Sequence, residues 1–369
     1  MMKLLHTADI HLGITPNGET MEEDQRFFIH FLADAAKAEN ADAVIIAGDI
    51  FDRALPSVDA VRLYDEMMTL LCKECPVFAI AGNHDGADRI SSTGALLEKA
   101  GLYIRGRLTL PIEPVTLKKD GDETDIYLMP YFSIEEAAYA LGDSTIRSMA
   151  EAYKAVIDTV SPREEAFSVL VSHCFAGGAE VSGSDRSAVL GGTGQVPSAL
   201  FDKFGYAALG HLHRRQKAGA KGMYAGSPLQ YGFGETEKYI LTIDTKTGVT
   251  GEINVPLPRR FRTVEGSYDE LLKNAAVDEN SGDIMRVIVT DRRLPVGATD
   301  AFRRFYPNMA AISDRAERAN TSGGISAEEI EKMNAGDILD LFMKSETGRC
   351  ATDEEKKWFA DAMREADDR

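Results

Sequence analysis

Short apolar runs of strand length alternate with longer stretches in which apolar residues recur every third or fourth position, and the alternation continues through about the first 255 residues. The runs at 3–7, 43–47, 77–81, 126–129, 168–172, 206–209 and 239–243 read as strands, most of them apolar without interruption, as strands covered on both faces are. Between them, residues 22–39 carry Phe27, Phe28, Phe31, Leu32 and Ala35 at helical spacing, and residues 57–72 carry Val58, Val61, Leu63, Tyr64, Met67, Met68 and Leu71. Pro56-Ser57 and Pro76 punctuate the ends of the second helix. Strands and helices in this order predict an α/β layered fold.

The pattern changes after Val255-Pro256-Leu257-Pro258, a stiff connector followed by the basic Arg259-Arg260-Phe261-Arg262. A boundary is expected there, dividing residues 1–258 from a second unit at 259–320 and a tail at 321–369. From Phe261 to about Asp314 the order is strand, helix (268–276), strand (283–290), helix (298–305), strand (309–312), a small βαβαβ unit. Residues 320–324 read as a flexible link, and 327–344 and 353–368 as amphipathic helices, the last opened by the capping box Thr352-Asp-Glu-Glu355.

With 369 residues, 44% hydrophobic and 27% charged, the chain has the composition of a soluble globular protein, which excludes disordered and fibrous classes. No apolar run approaches the roughly 20 residues of a membrane span. His6 and Asp9 interrupt the apolar start before it reaches signal-peptide length, so export is not expected. Four scattered cysteines form no disulfide framework and fit a reducing cytoplasm. Cys72 and Cys75 have C-x-x-C spacing but no second pair to complete a zinc site, and read as ordinary thiols. The net charge of −18 repels bulk polyanion, an objection to a nucleic-acid partner that a metal site and local basic clusters weaken.

The chemistry concentrates at strand ends. The first strand delivers Asp9-Ile10-His11, the second Gly48-Asp49-Ile50-Phe51-Asp52, the third Gly82-Asn83-His84-Asp85, a later one Ser172-His173, and another Gly210-His211-Leu212-His213. The carboxyl ends of strands in an α/β sheet converge on one edge, so these groups are expected to meet. Carboxylates, an asparagine oxygen and imidazoles without thiolate suit hard or borderline divalent ions, and Asp9, His11, Asp49, Asn83, His173, His211 and His213 are too many for one ion. A bridged pair of ions is the arrangement that clamps a phosphoryl group and activates water. Glycines precede Asp49, Asn83 and His211, where tight strand-to-loop turns call for a residue without Cβ. His6, inside a strand, and His30, on a Phe-rich helix, read as structural.

The series D-x-H, G-D-x-x-D, G-N-H-D, H and G-H-x-H resembles the calcineurin-like metallophosphoesterases over about residues 1–213. More narrowly, Leu5 to Gly13, Gly48 to Asp52, the turn Tyr224-Ala-Gly-Ser-Pro-Leu229 and the small unit after residue 258 resemble the SbcD-type nuclease subunits of double-strand-break repair complexes. The resemblance implies a four-layer α-β-β-α sandwich with a small α/β cap that binds DNA and C-terminal helices. It implies that Asp9, His11, Asp49 and His213 hold one metal and Asp49, Asn83, His173 and His211 the other, with Mn²⁺ the usual ion. The ligands alone also admit Fe²⁺, Zn²⁺ or Mg²⁺. His84 would contact the scissile phosphate and protonate the leaving oxygen, with Asp85 placed to orient its imidazole or raise its pKa. Also implied are exonuclease activity on duplex ends, endonuclease activity on single strands or hairpins, a homodimer through helices near residues 53–72 and 91–101, and an SbcC-like coiled-coil ATPase partner. ATP control would come from that partner, since the sequence has no P-loop motif. A metallophosphoesterase acting on small nucleotides or cyclic nucleotides is the alternative.

A DNA substrate calls for basic side chains near the site or on the small unit. Arg53, Arg89, Arg214, Arg215, Lys217 and Lys221 follow the motifs, and Arg259, Arg260, Arg262, Arg292, Arg293, Arg303 and Arg304 lie beyond them. Any one of them reads equally as a solvated or paired surface charge. In the tail, Ile338, Leu339, Leu341, Phe342 and Met343, then Trp358, Phe359 and Met363, offer apolar faces for a partner groove or for the chain's own core.

Overall fold

In the computed structural model the described residues are 1–180, 194–248, 250–315, 336, 339–340, 343, 349–352 and 355–359. Two six-stranded sheets dominate. In the first, β1 (Lys3–Thr7), β2 (Ala43–Ile46), β3 (Val77–Ile80) and β4 (Leu102–Arg105) run parallel, β13 (Lys238–Asp244) pairs antiparallel with β1, and β14 (Thr250–Val255) pairs antiparallel with β13 at the edge. In the second, β6 (Asp122–Met129), β7 (Phe167–His173), β10 (Tyr206–Gly210) and β12 (Gly222–Tyr224) run parallel, with β5 (Val115–Lys119) and β11 (Gln216–Ala218) as antiparallel edges.

The uninterrupted apolar runs follow from this layering. Along β1, Leu4 points between the two sheets with Ile45, Phe78, Ile126, Val169, Val171 and Ala208, while Leu5 points outward with Val44, Ile46 and Val77. The outer face is covered by α1 (Glu22–Ala38), through Phe28 and Leu32, and by α2 (Val58–Glu74), through Leu63, Met67 and Leu71. Ser57 starts α2 by accepting the Ala60 N–H on its hydroxyl, where Pro56 bars any earlier turn. Two single-turn helices follow, α3 (Ala87–Ile90) and α4 (Gly94–Leu97). On the second sheet, α5 (Ile134–Leu141) and α6 (Met149–Asp158) set Ala137, Tyr153, Val156 and Ile157 against Met129 and Leu170. The layers are therefore α-β-β-α. A two-stranded pair, β8 (Phe175–Ala176) with β9 (Gln195–Val196), lies beside the second sheet's core.

Beyond the Pro256–Pro258 connector, β15 (Phe261–Gly266), α7 (Tyr268–Ala275), β16 (Ile284–Val289), α8 (Ala298–Arg303) and β17 (Met309–Asp314) form a three-stranded parallel sheet with its own core of Leu271, Met285, Val287, Phe302 and Tyr306. Arg259 ties its root to α1 through the buried Asp24, and the Phe261 N–H donates to Gln230 Oε1 at 2.9 Å. The expected tail helices at 327–344 and 353–368 fall largely outside the described residues, as do Ile338, Leu341, Phe342 and Met363. The capping box at Thr352 is formed: its hydroxyl accepts the Glu355 N–H and its own N–H donates to the Glu355 carboxylate. No helix among the described residues is long and apolar enough to cross a membrane. The cysteines are free thiols, and burial pushes that of Cys75 up to about 12, which leaves it unreactive.

Candidate metal centre

The loops leaving β1 and β2 run together. Asp9 N–H donates to Gly48 O, His11 N–H to Asp49 O and Leu12 N–H to Ile50 O, at 2.8 to 3.0 Å. Along this path Asp9, His11 and Asp49 adopt φ of 54°, 47° and 48°, and His211 at the end of β10 adopts 107°. Such left-handed conformations in residues with a Cβ cost about 1–3 kcal/mol each and persist where surrounding contacts over-determine them. The glycines before the motif residues serve two purposes rather than the single one expected. Gly48 has φ of 90°, a turn conformation. At Gly82 and Gly210 the requirement is space: a Cβ would lie 2.2 Å from Asp49 Oδ1 or 2.0 Å from Ala47 O.

Seven side chains predicted as ligands converge from both sheets, Asp9, His11, Asp49 and Asn83 from the first, and His173, His211 and His213 from the second. His11 Nε2 and His213 Nε2 stand 3.2 Å apart. Asn83 Oδ1 lies 3.0 Å from both His173 Nε2 and His211 Nδ1, and Asp49 Oδ2 is 3.3 Å from His173 Nε2 and 3.7 Å from His11 Nε2. Asp49 is thus placed between the two histidine groups. Three overlapping sets hold ligand-type atoms within 4.8 Å of one another: Asp9, His11 and His213; Asp9, Asp49 and His173; His11, Asp52 and His84. Two imidazole nitrogens facing each other beside a buried carboxylate suit a shared cation, so this donor set fits divalent metal.

A surrounding layer fixes these groups. His173 Nδ1–H donates to Ala47 O at 2.9 Å, which fixes the ring and turns Nε2 toward Asp49 and Asn83. Gln25 of α1 donates to His11 O at 2.8 Å and accepts the Gly13 N–H at 3.0 Å. Tyr231 donates its hydroxyl to Ile10 O and sets its ring edge-on to His11 and His213, at 5.7 and 5.6 Å between centroids.

Burial holds His11 and His213 neutral, with pKa values pushed down to about 3, Lys238 adding to the effect at His213. At His173 burial works the same way but is outweighed by the Asp49 carboxylate, which holds the imidazole up at about 9. Burial likewise opposes charge on Asp49, and His173 beside it overcomes this and keeps the carboxyl well below the usual range.

Asp85 does not stand where the sequence reading placed it. Its carboxylate accepts the N–H groups of Ile50 (3.1 Å), Phe51 (2.8 Å) and Gly82 (2.9 Å), clamping the loops after β2 and β3 together, while His84 Nδ1–H donates to Asp52 O at 2.9 Å. A carboxylate facing three main-chain donors is held by them, and has no oxygen turned to the imidazole. His84 is therefore held through Nδ1 by the main chain at Asp52, half-buried, its ring edge-on to His11. Asp52, Gln25, Tyr231 and Lys238 were not singled out from the sequence. Asp52 could have been, since it closes G-D-x-x-D; the others lie on helices, turns and strands whose contact with the site depends on tertiary packing. His6 is buried between the sheets with Nδ1 3.0 Å from the Tyr206 hydroxyl, and His30 pairs with Glu66 on the surface, so both are structural as expected.

Most of the arginines proposed to face a polyanion are already paired: Arg53 with Asp52, Arg214 with Glu180, Arg215 with Glu252, Arg259 with Asp24, Arg260 with Glu237, Arg262 with Asp278 and Asp283, and Arg292 with Asp269 and Asp291. In an acidic chain these seven guanidinium groups find carboxylates nearby. Arg89, Arg293, Arg303 and Arg304 are exposed and form no ion pair among the described residues.

The calcineurin-like phosphoesterase family model matches residues 2–215 of the chain, a stretch that contains every motif residue of the centre. Among solved structures, an archaeal phosphodiesterase aligns at 14% identity over 69% of this chain and 99% of its own, with a TM-score of 0.32. A protein of Thermus thermophilus aligns at 13% identity over 69% and 99%, with a TM-score of 0.41. A hypothetical protein of Pyrococcus horikoshii aligns at 13% identity over 70% and 89%, with a TM-score of 0.32.

Proposed function

Since this chain belongs to the calcineurin-like phosphoesterase family, we propose that it is a DNA nuclease of SbcD type, hydrolysing phosphodiesters with two divalent ions, Mn²⁺ first among them. The observation that carries the hydrolytic part is the convergence of Asp9, His11, Asp49, Asn83, His173, His211 and His213 around His84 at one edge of two sheets. When bound, the ions would polarise the phosphoryl group and lower the pKa of the attacking water. His84, held by Asp52 O through Nδ1, directs Nε2 to the leaving oxygen and supplies its proton.

DNA rather than a small nucleotide is favoured by the separate βαβαβ unit, read as a cap at 259–320, and by the exposed Arg303 and Arg304 at the end of α8. The reading extends to exonuclease action on duplex ends, endonuclease action on hairpins and single strands, and a cytoplasmic setting, to which the free thiols are suited. A homodimer through the outer faces of α2 and α4 is supported by Val58, Val61 and Leu96, which are 67%, 45% and 66% exposed. An SbcC-like ATPase partner would dock on the tail at 321–369, where Trp358 is exposed.

The test is incubation with Mn²⁺ and end-labelled hairpin and linear duplex, beside mononucleotides and cyclic nucleotides. DNA should be cut, and His84→Gln should slow cutting by about 10²-fold or more with metal content unchanged. Turnover of the small substrates alone would overturn the DNA assignment.

A further inference from the structure

Beneath His213, on the side turned into the protein, stands a buried ion pair. Lys238, the first residue of β13, is 4% exposed, and the Glu235 side chain is 3% exposed. Lys238 Nζ lies 2.5 Å from Glu235 Oε2 and donates to Ser227 Oγ at 2.7 Å and to the His213 carbonyl at 3.0 Å. The ammonium thus has two hydrogen-bond acceptors, and the Glu235 carboxylate beside it supplies the opposite charge. Glu235 Oε1 in turn accepts the Tyr231 N–H at 3.1 Å, and Tyr231 is the residue whose ring meets both His11 and His213.

The turn around Ser227 closes the grip. Ser227 N–H donates to the same His213 carbonyl at 3.2 Å, and its hydroxyl donates to Leu229 O at 2.8 Å. Gly226 has φ of 76°, and a Cβ there would lie 2.7 Å from His213 O. The main chain at His213 is thus held by two donors and a close backbone contact. Taking two charges out of water costs several kcal/mol, and packing the same space with an apolar side chain would be cheaper. An apolar side chain could not donate to the His213 carbonyl.

We infer that Lys238, paired with Glu235, is a positioning residue for the metal centre: through Ser227 and the His213 carbonyl it sets the His213 imidazole opposite His11 before any ion binds. A centre preorganised in this way loses less freedom on binding, and partners of this kind typically contribute 10- to 100-fold to metal affinity. The inference rests on the metal reading of the site and is independent of whether DNA is the substrate.

Mn²⁺ binding to the full chain by titration calorimetry, with the Co²⁺ absorption spectrum as a second readout, tests it in wild type, Lys238→Met, Ser227→Ala and Arg163→Met. The last breaks the ion pair with the buried Asp125 on the other sheet and reports destabilisation without any link to the centre. Lys238→Met should weaken one Mn²⁺ site by about 10- to 100-fold and alter the Co²⁺ spectrum. Ser227→Ala should move both readouts the same way by a smaller factor, and it decides alone if Lys238→Met does not fold. Arg163→Met should lower Tm and leave metal affinity in place. Affinity and spectrum unchanged in Ser227→Ala and in folded Lys238→Met would overturn the inference, as would an equal loss of affinity in Arg163→Met. A wild-type chain that takes up no Mn²⁺ would bring down the metal reading and this inference together.

Discussion

Burial alone would strip His173 of its proton, and the carboxylate of Asp49 keeps it there, with the pKa held at about 9. Because the folded value lies above the unfolded 6.5, this proton's contribution to stability is full below pH 6.5 and is lost as pH rises through about 9. The metal-free protein should therefore show a falling Tm across that window. A cation at Nε2 must displace the proton, so apparent metal affinity should climb by up to about tenfold per pH unit until about 9, with about one proton released per binding event near neutrality. Calorimetry in buffers of different ionisation enthalpy counts that proton directly. The candidate ligands were legible as residue types at strand ends, and the structure brings Asp9, His11, Asp49, Asn83, His173, His211 and His213 close together. What Asp85 touches was not legible, because its partners, the N–H groups of Ile50, Phe51 and Gly82, belong to the main chain and have no signature in sequence.

Among elements, the loops after β2 and β3 act as one piece because Asp85 ties them. Burial, and next the charge of Asp49, push its carboxyl up to about 7, against the pull of the three N–H groups it accepts. Asp85→Ala leaves those donors buried without acceptors, at about 1–3 kcal/mol each, and should destabilise the chain by about 3 kcal/mol or more in urea titration. Residual hydrolysis should keep the pH–rate profile of the wild type, since the carboxylate does not touch His84; a displaced acid limb would restore it as the imidazole's partner. The strands covered on both faces were readable as continuous apolar runs, and β15 to β17 with α7 and α8 as alternating periods. The edge strands β4, β5, β11 and β14 were missed because partly exposed residues break their apolar runs, although the turn Asp120-Gly121 between β5 and β6, with φ of 49° and 86°, carries a hairpin signal. The helices α5 and α6 were missed as well, despite serine caps at Ser133 and Ser148.

For the whole molecule, strand order in sequence does not say which sheet a strand joins: β13 returns from residue 238 to pair with β1, and only the packed structure reveals it. The charge distribution carries the remaining prediction. With so many arginines paired, Arg303 and Arg304 should carry a large share of any electrostatic hold on DNA by the second unit. Reversing both to glutamate should weaken DNA binding by about tenfold or more and flatten its salt dependence by about one to two units of log–log slope, read by fluorescence anisotropy across a salt series. Hydrolysis of a small chromogenic phosphodiester reads the centre separately, and a parallel loss there would place these arginines in the chemistry instead. The division of the ligands between two sheets, four from the first and three from the second, has a consequence for how the protein is made. A ribosome delivers Asp9, His11, Asp49 and Asn83 long before His211 and His213, so a chain still being synthesised carries only part of the set. Under the proposed function, the centre is complete only once the second sheet has docked on the first.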